Sequence, residues 1–149
     1  MKVINKLFHR NYQEVEKYEA GIVLAGAEAK AVKTEGIKLE NAFVKIMDDG
    51  AYLVNADIPI YHFSRHQGYD SRRRRKLLLH KKELLKLQVK LSGGSNLTIA
   101  PVSCYNKGPL VKLEIALAKG RKDIEKRKLE KNRDIKINEK REAKEYVKI

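Results

Sequence analysis

Five consecutive cations, Arg72-Arg73-Arg74-Arg75-Lys76, stand in the sequence after Tyr61 and Tyr69. Arginine can grip phosphate through paired hydrogen bonds or stack on a base, and tyrosine offers a stacking face. That combination suits contact with a polyanion, with a solvated loop face as the plain alternative. Glu19 is a different signal, an acid at the mouth of a strand in a basic chain. A carboxylate repels phosphate but accepts hydrogen bonds from base edges, so it would select rather than attract. Alone, it reads first as a surface or strand-edge acid.

The stretch Lys119 to Ile149 carries thirteen bases against seven acids, with no Pro and no Gly after Gly120. Its scattered apolar residues cannot bury enough surface to offset the entropy of ordering. Every residue after Gly120 nonetheless tolerates a helix, and pairs such as Asp123 with Arg127 fall at helical spacing. The expectation is a tail that is disordered when free and helical when laid against a polyanion.

Catalytic chemistry finds little support. Gly93-Gly94 lacks the Lys-Ser/Thr of a phosphate loop. His9, His62, His66 and His80 have no cysteines at ligand spacing. His62 and His66 are four residues apart, but Pro59 and Gly68 argue against the helix that would align them. Asp48-Asp49 reads as a solvated turn, and Ser103-Cys104 has no base nearby in sequence. No catalytic residue, metal or cofactor is expected.

The elements that must position these residues follow from length and pattern. The chain has 149 residues and a formal net charge of +14. That suits one domain, residues 1–118, plus a basic tail, residues 119–149. The charge favours nucleic acid over a membrane surface, since no long apolar run or lipidation motif appears. The N-terminus lacks the apolar core of a signal peptide, and Cys104 alone makes no internal disulfide, so a cytoplasmic setting is expected.

Residues 1–17 read as a polar arm or short helix, and Tyr18 to Leu24 as a strand in which Gly21 marks a bulge or a close backbone approach. A short helix spans 26–33, with Gly36 as its stop. Residues 42–48 and 51–57 form a hairpin whose Asp-Gly favours a type I′ turn. Residues 61–75 are a loop. The run Leu77 to Leu87 passes into a helix with Leu84, Leu87 and Leu91 inward, followed by a turn at 92–95. Residues 97–105 and 110–118 form a second hairpin, with Pro101 at an edge or bulge. Five or so strands and two helices predict a mainly β fold, an OB-like antiparallel β-barrel with flanking short helices.

The order of motifs resembles the SsrA-binding protein (SmpB) family along nearly the whole chain. The resemblance rests on Asn5-Lys6 with Tyr12, on Tyr18 to Leu24 followed by Gly26-Ala27-Glu28-Ala29-Lys30, and on Asn41-Ala42-Phe43-Val44. It continues through Asp70 to Lys81 and from Ala118-Lys119-Gly120-Arg121-Lys122 to Glu125-Lys126-Arg127. It implies an RNA partner, the transfer-messenger RNA (tmRNA), bound at its tRNA-like domain, and rescue of ribosomes stalled on messages without a stop codon. Alanine-charged tmRNA would be escorted with elongation factor Tu into the empty A site. The tail would enter the vacant message channel at the decoding centre as a helix, in place of codon pairing.

Carried over by position, the resemblance implies RNA contacts at Asn5, Lys6, Glu19, Leu78 and His80, with Arg72, Arg75 and Lys76 on phosphates. The decoding segment would be Gly120, Arg121, Lys122, Glu125, Lys126 and Arg127. The sequence departs from the family where Ser71 replaces a usual Pro, which would loosen the entry to the basic loop. Arg121 replaces a commoner Lys. Ile124 and Ile135 stand where rings occur in some members, which leaves aliphatic contact in place of stacking. Two readings stay beside this one: a general RNA-binding or ribosome-assembly protein, and an RNA-processing enzyme using Glu19 or the histidines.

Overall fold

The computed structural model describes residues 1–64, 68–93 and 96–147, with side chains as far as Lys144. Its elements are β1 (Lys2–Ile4), α1 (Phe8–Asn11), β2 (Tyr12–Ile22), α2 (Gly26–Glu35), β3 (Phe43–Met47), β4 (Gly50–Val54), β5 (Arg75–Leu78), α3 (Lys81–Ser92), β6 (Leu97–Lys107), β7 (Leu110–Gly120) and α4 (Asp123–Val147). The strand order is β1-β6-β3-β4-β5-β2-β7, and β6 also pairs with β7. The pairing therefore runs in a ring through β6, β3, β4, β5, β2 and β7, with β1 added beside β6. All of these pairings are antiparallel. The fold is mainly β with short helices against it.

Alternation builds the ring's interior. Val111, Leu113, Ile115 and Leu117 of β7 are buried, as are Ala51 and Leu53 of β4 and Leu77 of β5. Val32 of α2 and Leu87 of α3 join the same cluster, capping it from two helices. The other face of β7 is not wholly polar. Ala116 and Ala118 pack with Phe8, Ala100 and Val102 in a second cluster under α1. Small side chains there leave room for the Phe8 ring.

The second hairpin lies where expected, with a register shift between Pro101 and Ser103. Pro101 supplies no N–H, so the ladder bends there. Gly36 ends α2 at φ +89, its N–H on the carbonyls of Ala31 and Val32. The first hairpin turns differently from expectation. Met47 pairs with Gly50, so the loop is Asp48-Asp49, and neither Asp has a positive φ. A type I′ turn needs positive φ at both central residues. Gly50 takes it one residue later, at φ +138.

Two further differences matter for the site. Residues 1–17 hold the expected short helix as α1, but β1 precedes it and β2 already starts at Tyr12 and pairs along β7. Residues 75–78 are a strand rather than the end of a loop and the start of a helix. Leu77 pairs with Ala51 on one side and Ile22 on the other, which closes the ring. Cys104 is fully buried in β6, and burial pushes its thiol up to about 12.

Residues 123–147 form α4, one helix of 25 residues. From Lys122 to Lys144 every side chain except Lys126 is exposed. No helix of the described residues is long and apolar enough to cross a membrane.

Candidate nucleic-acid interface

The strand register sets Lys2, Tyr105, Lys112, Gly21 and Leu78 side by side across β1, β6, β7, β2 and β5. Directly opposed residues share a face, and here that face is outward. Glu19 lies two residues along β2 on the same side, opposite Glu114. The Tyr105 hydroxyl donates to Glu19 Oε2, and Lys107 Nζ lies 3.8 Å from Oε1. The Tyr105 hydrogen bond holds the Glu19 carboxyl below the usual carboxylate range, and nearby Lys107 and Lys112 act in the same direction against partial burial. Burial and the Glu19 carboxylate push the Tyr105 hydroxyl up to about 12. Glu19 is thus an ionised acceptor with one oxygen fixed by a phenol. Glu114 is tied separately, to Ser103 Oγ at 3.2 Å and Lys17 Nζ at 3.4 Å.

Gly21 explains how Leu78 reaches this face. A Cβ on Gly21 would meet Leu78 Cβ at 3.3 Å, which is the close approach its place in a strand implied. Leu78 lies over the β2 backbone and stays 58% exposed. Lys76, outward on β5, and His80, exposed at the start of α3, continue the surface. His80 Nε2 lies 4.0 Å from Glu83.

The fold separates the five-cation run. Arg72, Arg74 and Lys76 are exposed, whereas Arg75 is fully buried. Its Nε donates to Glu28 Oε2 at 2.8 Å and its Nη1 to the Ala56 carbonyl at 2.9 Å. Nη2 reaches the Ser71 carbonyl and the Tyr69 hydroxyl at 3.0 and 3.3 Å. Arg73 also donates to Glu28, which accepts the Ala25 N–H as well at 3.0 Å. Arg75 is therefore no phosphate contact in this fold; with every branch of its fork engaged inside, it anchors the basic loop. Burial pushes the Glu28 carboxyl up, but the bonds from Arg73, the Ala25 N–H and Arg75 outweigh it and hold the group below the usual range.

Asn5 needs the same correction. It is buried, its Nδ2 donating to the carbonyls of Pro101 at 2.9 Å and Leu39 at 3.4 Å, while its Oδ1 accepts the Leu7 N–H. These bonds hold the β1–α1 turn and leave Asn5 no donor for RNA. Lys6 beside it is exposed. Ser71 makes the loop entry firm without Pro, because its carbonyl takes both the Ile58 N–H and Arg75.

The root of the tail is clipped to α1 and β2. Gly120 still pairs with Tyr12, and the Arg121 N–H donates to the Asn11 carbonyl at 2.8 Å. Arg121 Nε donates to the carbonyls of His9 and Tyr12 at 3.0 and 3.2 Å. About two turns into α4, Glu130 pairs with Arg10 at 2.5 Å. Of the segment expected to decode, Lys122, Glu125 and Arg127 are exposed and Lys126 is half-buried.

Among the described residues no group of three His, Cys, Asp or Glu is placed to hold a metal. The His62–His66 pairing lies outside the described residues, since His66 is not among them; His62 pairs instead with Glu35 at 2.5 Å. Sequence reasoning missed Tyr105, Lys107 and Lys112. Their signal was present in the alternation of the second hairpin, which sets Tyr105 opposite Lys112.

Fold and face together define a basic antiparallel module whose outward row sets Glu19 among Tyr105, Lys107 and Lys112. The SmpB protein family model matches residues 2–145. The SsrA-binding protein of Mycoplasma mycoides subsp. mycoides SC is 43% identical over 97% of this chain and 95% of its own. That of Persephonella marina is 42% identical with the same two coverages. A solved structure described as "tmRNA-SmpB: a journey to the center of the bacterial ribosome" contains a chain that matches with TM-score 0.67 and 35% identity, over 82% of this chain and 85% of that one. The chain belongs to the SmpB family, the SsrA-binding proteins.

Proposed function

We propose that this protein binds the tRNA-like domain of tmRNA and delivers it to stalled ribosomes for rescue by trans-translation. The observation that carries the reading is the outward row around Glu19, Tyr105 and Leu78, in a chain matched by its family from residue 2 to 145. The strand ring, residues 1–118, is read as an OB-like barrel that binds the RNA. Glu19 accepts from a base edge, Leu78 packs on an exposed nucleotide, and His80 donates or stacks. Lys6, Arg72, Lys76, Lys107 and Lys112 meet phosphates. Asn5 and Arg75 support this surface from inside.

The tail, residues 119–149, enters the empty message channel, and contact with ribosomal RNA stabilises its helix. Gly120, Arg121, Lys122, Glu125, Lys126 and Arg127 meet the decoding centre. Elongation factor Tu accompanies the complex through the charged tmRNA. The protein itself supplies recognition and placement rather than bond chemistry.

Glu19→Ala should weaken binding to the tRNA-like RNA by about 1–3 kcal/mol, the range for one lost specific base contact. A filter-binding titration with the isolated tRNA-like domain measures it. An unchanged dissociation constant would return Glu19 to a surface acid.

A further inference from the structure

The outward face continues past β5. Register sets Lys45, Tyr52 and Lys76 directly opposite one another on β3, β4 and β5. Their strand neighbours Val44, Ala51, Leu53, Arg75 and Leu77 point inward and are buried. Arg74, just before β5, holds its guanidinium over the Tyr52 ring, 4.8 Å from the centroid. Phe43, 40% exposed, stands two residues from Lys45 on the same side, opposite Val54. The Tyr52 hydroxyl donates to Asp49, which fixes the ring at the hairpin turn.

One acid lies near these residues: the Tyr52 hydrogen bond holds the Asp49 carboxyl below its usual range, and Lys76 and Arg74 act in the same direction from further off. Lys45, Arg74 and Lys76 have no carboxylate within ion-pair distance among the described residues. The contacts of the Arg74 side chain are the Tyr52 ring and Met47 Sδ at 3.1 Å, so most of its five N–H donors face solvent. Three cations beside one carboxylate around two rings leave a net positive patch, and the fold gains little from it. A ligand that brings phosphates and a flat apolar face would neutralise it. An acidic polypeptide would satisfy the charges but leave the Arg74–Tyr52 stack and Phe43 without a use.

We infer that the outer face of β3, β4 and β5 is a second RNA-binding site, a shelf for an unpaired nucleotide. The base stacks against Arg74 and the rings of Tyr52 and Phe43, while Lys45 and Lys76 take the flanking phosphates. The inference rests on the protein's reading as an RNA binder and extends its surface away from Glu19. Lys76 belongs to both regions and joins them into one track.

The test uses the full-length chain and a fluorescein-labelled oligoadenylate ten-mer, followed by anisotropy at several salt concentrations, with the isolated tRNA-like RNA in parallel. Arg74→Lys keeps the charge and removes the planar fork. It should weaken ten-mer binding about 5- to 150-fold, the range for one lost base stack, while leaving the salt slope unchanged. Tyr52→Leu should do the same. If Arg74→Lys binds the ten-mer like the parent, the shelf is overturned, and this exposed substitution decides the matter even if Tyr52→Leu fails to fold. Displacement of the ten-mer by polyglutamate at equal charge would make the face a general anion surface and also overturn it. Shelf variants that lose the ten-mer in a protein that does not prefer the tRNA-like RNA would overturn the tmRNA reading and leave the shelf standing.

Discussion

Ending the chain at Gly120 is expected to leave tmRNA affinity nearly intact and to abolish peptide tagging on stalled ribosomes. The strand ring is complete at that point, because β7 runs to Gly120 and its last pair is with Tyr12. The face around Glu19, Tyr105, Lys112 and Leu78 draws nothing from α4. The cut removes the Arg10–Glu130 pair, which lies between two exposed side chains and contributes about 0–1 kcal/mol. It also removes the Arg121 clip to His9, Asn11 and Tyr12, which directs the tail rather than building the ring. Parallel binding and tagging assays on the truncated chain separate the two properties. A fall in RNA affinity as large as the fall in tagging would contradict the division between ring and tail.

Glu28→Ala is expected to destabilise the fold by about 3–5 kcal/mol, the range for stranding one partner of a buried ion pair. Glu28 and Arg75 are both almost wholly inaccessible, so water cannot take over the carboxylate's role. The same substitution releases Arg73 and the Ala25 N–H, loosening the basic loop and the start of α2 together. Urea unfolding measures the loss, and a change under about 1 kcal/mol would contradict the account. The pH dependence has a defined sign. The Glu28 carboxyl titrates below its ordinary value in the fold. Its stabilisation is therefore fully present above the unfolded carboxylate value of about 4.3 and is lost as pH falls through the folded value. Glu28→Ala should remove that share of the acid sensitivity.

The sequence made some of this legible and hid the rest for physical reasons. Gly21 reads as a bulge or a close approach because glycine inside a strand needs a cause, and Leu78 against it makes it the close approach. Pro101 reads as an edge or a bulge because it has no N–H to give, and the register shift beside it makes it the bulge. The burial of Arg75 was hidden within five like residues. Period-two alternation over four residues turns it inward, and its partner Glu28 is 47 positions away. β5 was hidden because Leu77-Leu78-Leu79 runs straight into a helical pattern, and only pairing with β4 and β2 makes it a strand. Asn5 looked like a ligand group because an exposed Asn and a buried one are the same letter. Its bonds to Pro101 and Leu39 depend on where the chain returns far downstream. Tyr105 could not be joined to Glu19, since 86 residues separate them and only the register of β2, β7 and β6 makes them neighbours.

The central claim is selective recognition of tmRNA, and a competition at about 0.2 M salt tests it most directly. At that ionic strength much of the sequence-independent attraction of a +14 chain is screened. Labelled tRNA-like domain bound to the full-length protein is challenged with unlabelled tmRNA or with an unrelated RNA of equal length. The account predicts displacement by tmRNA at concentrations at least about a thousandfold lower than by the unrelated RNA, the low end of the span that separates specific from non-specific nucleic-acid binding. Equal displacement by the two RNAs would contradict it.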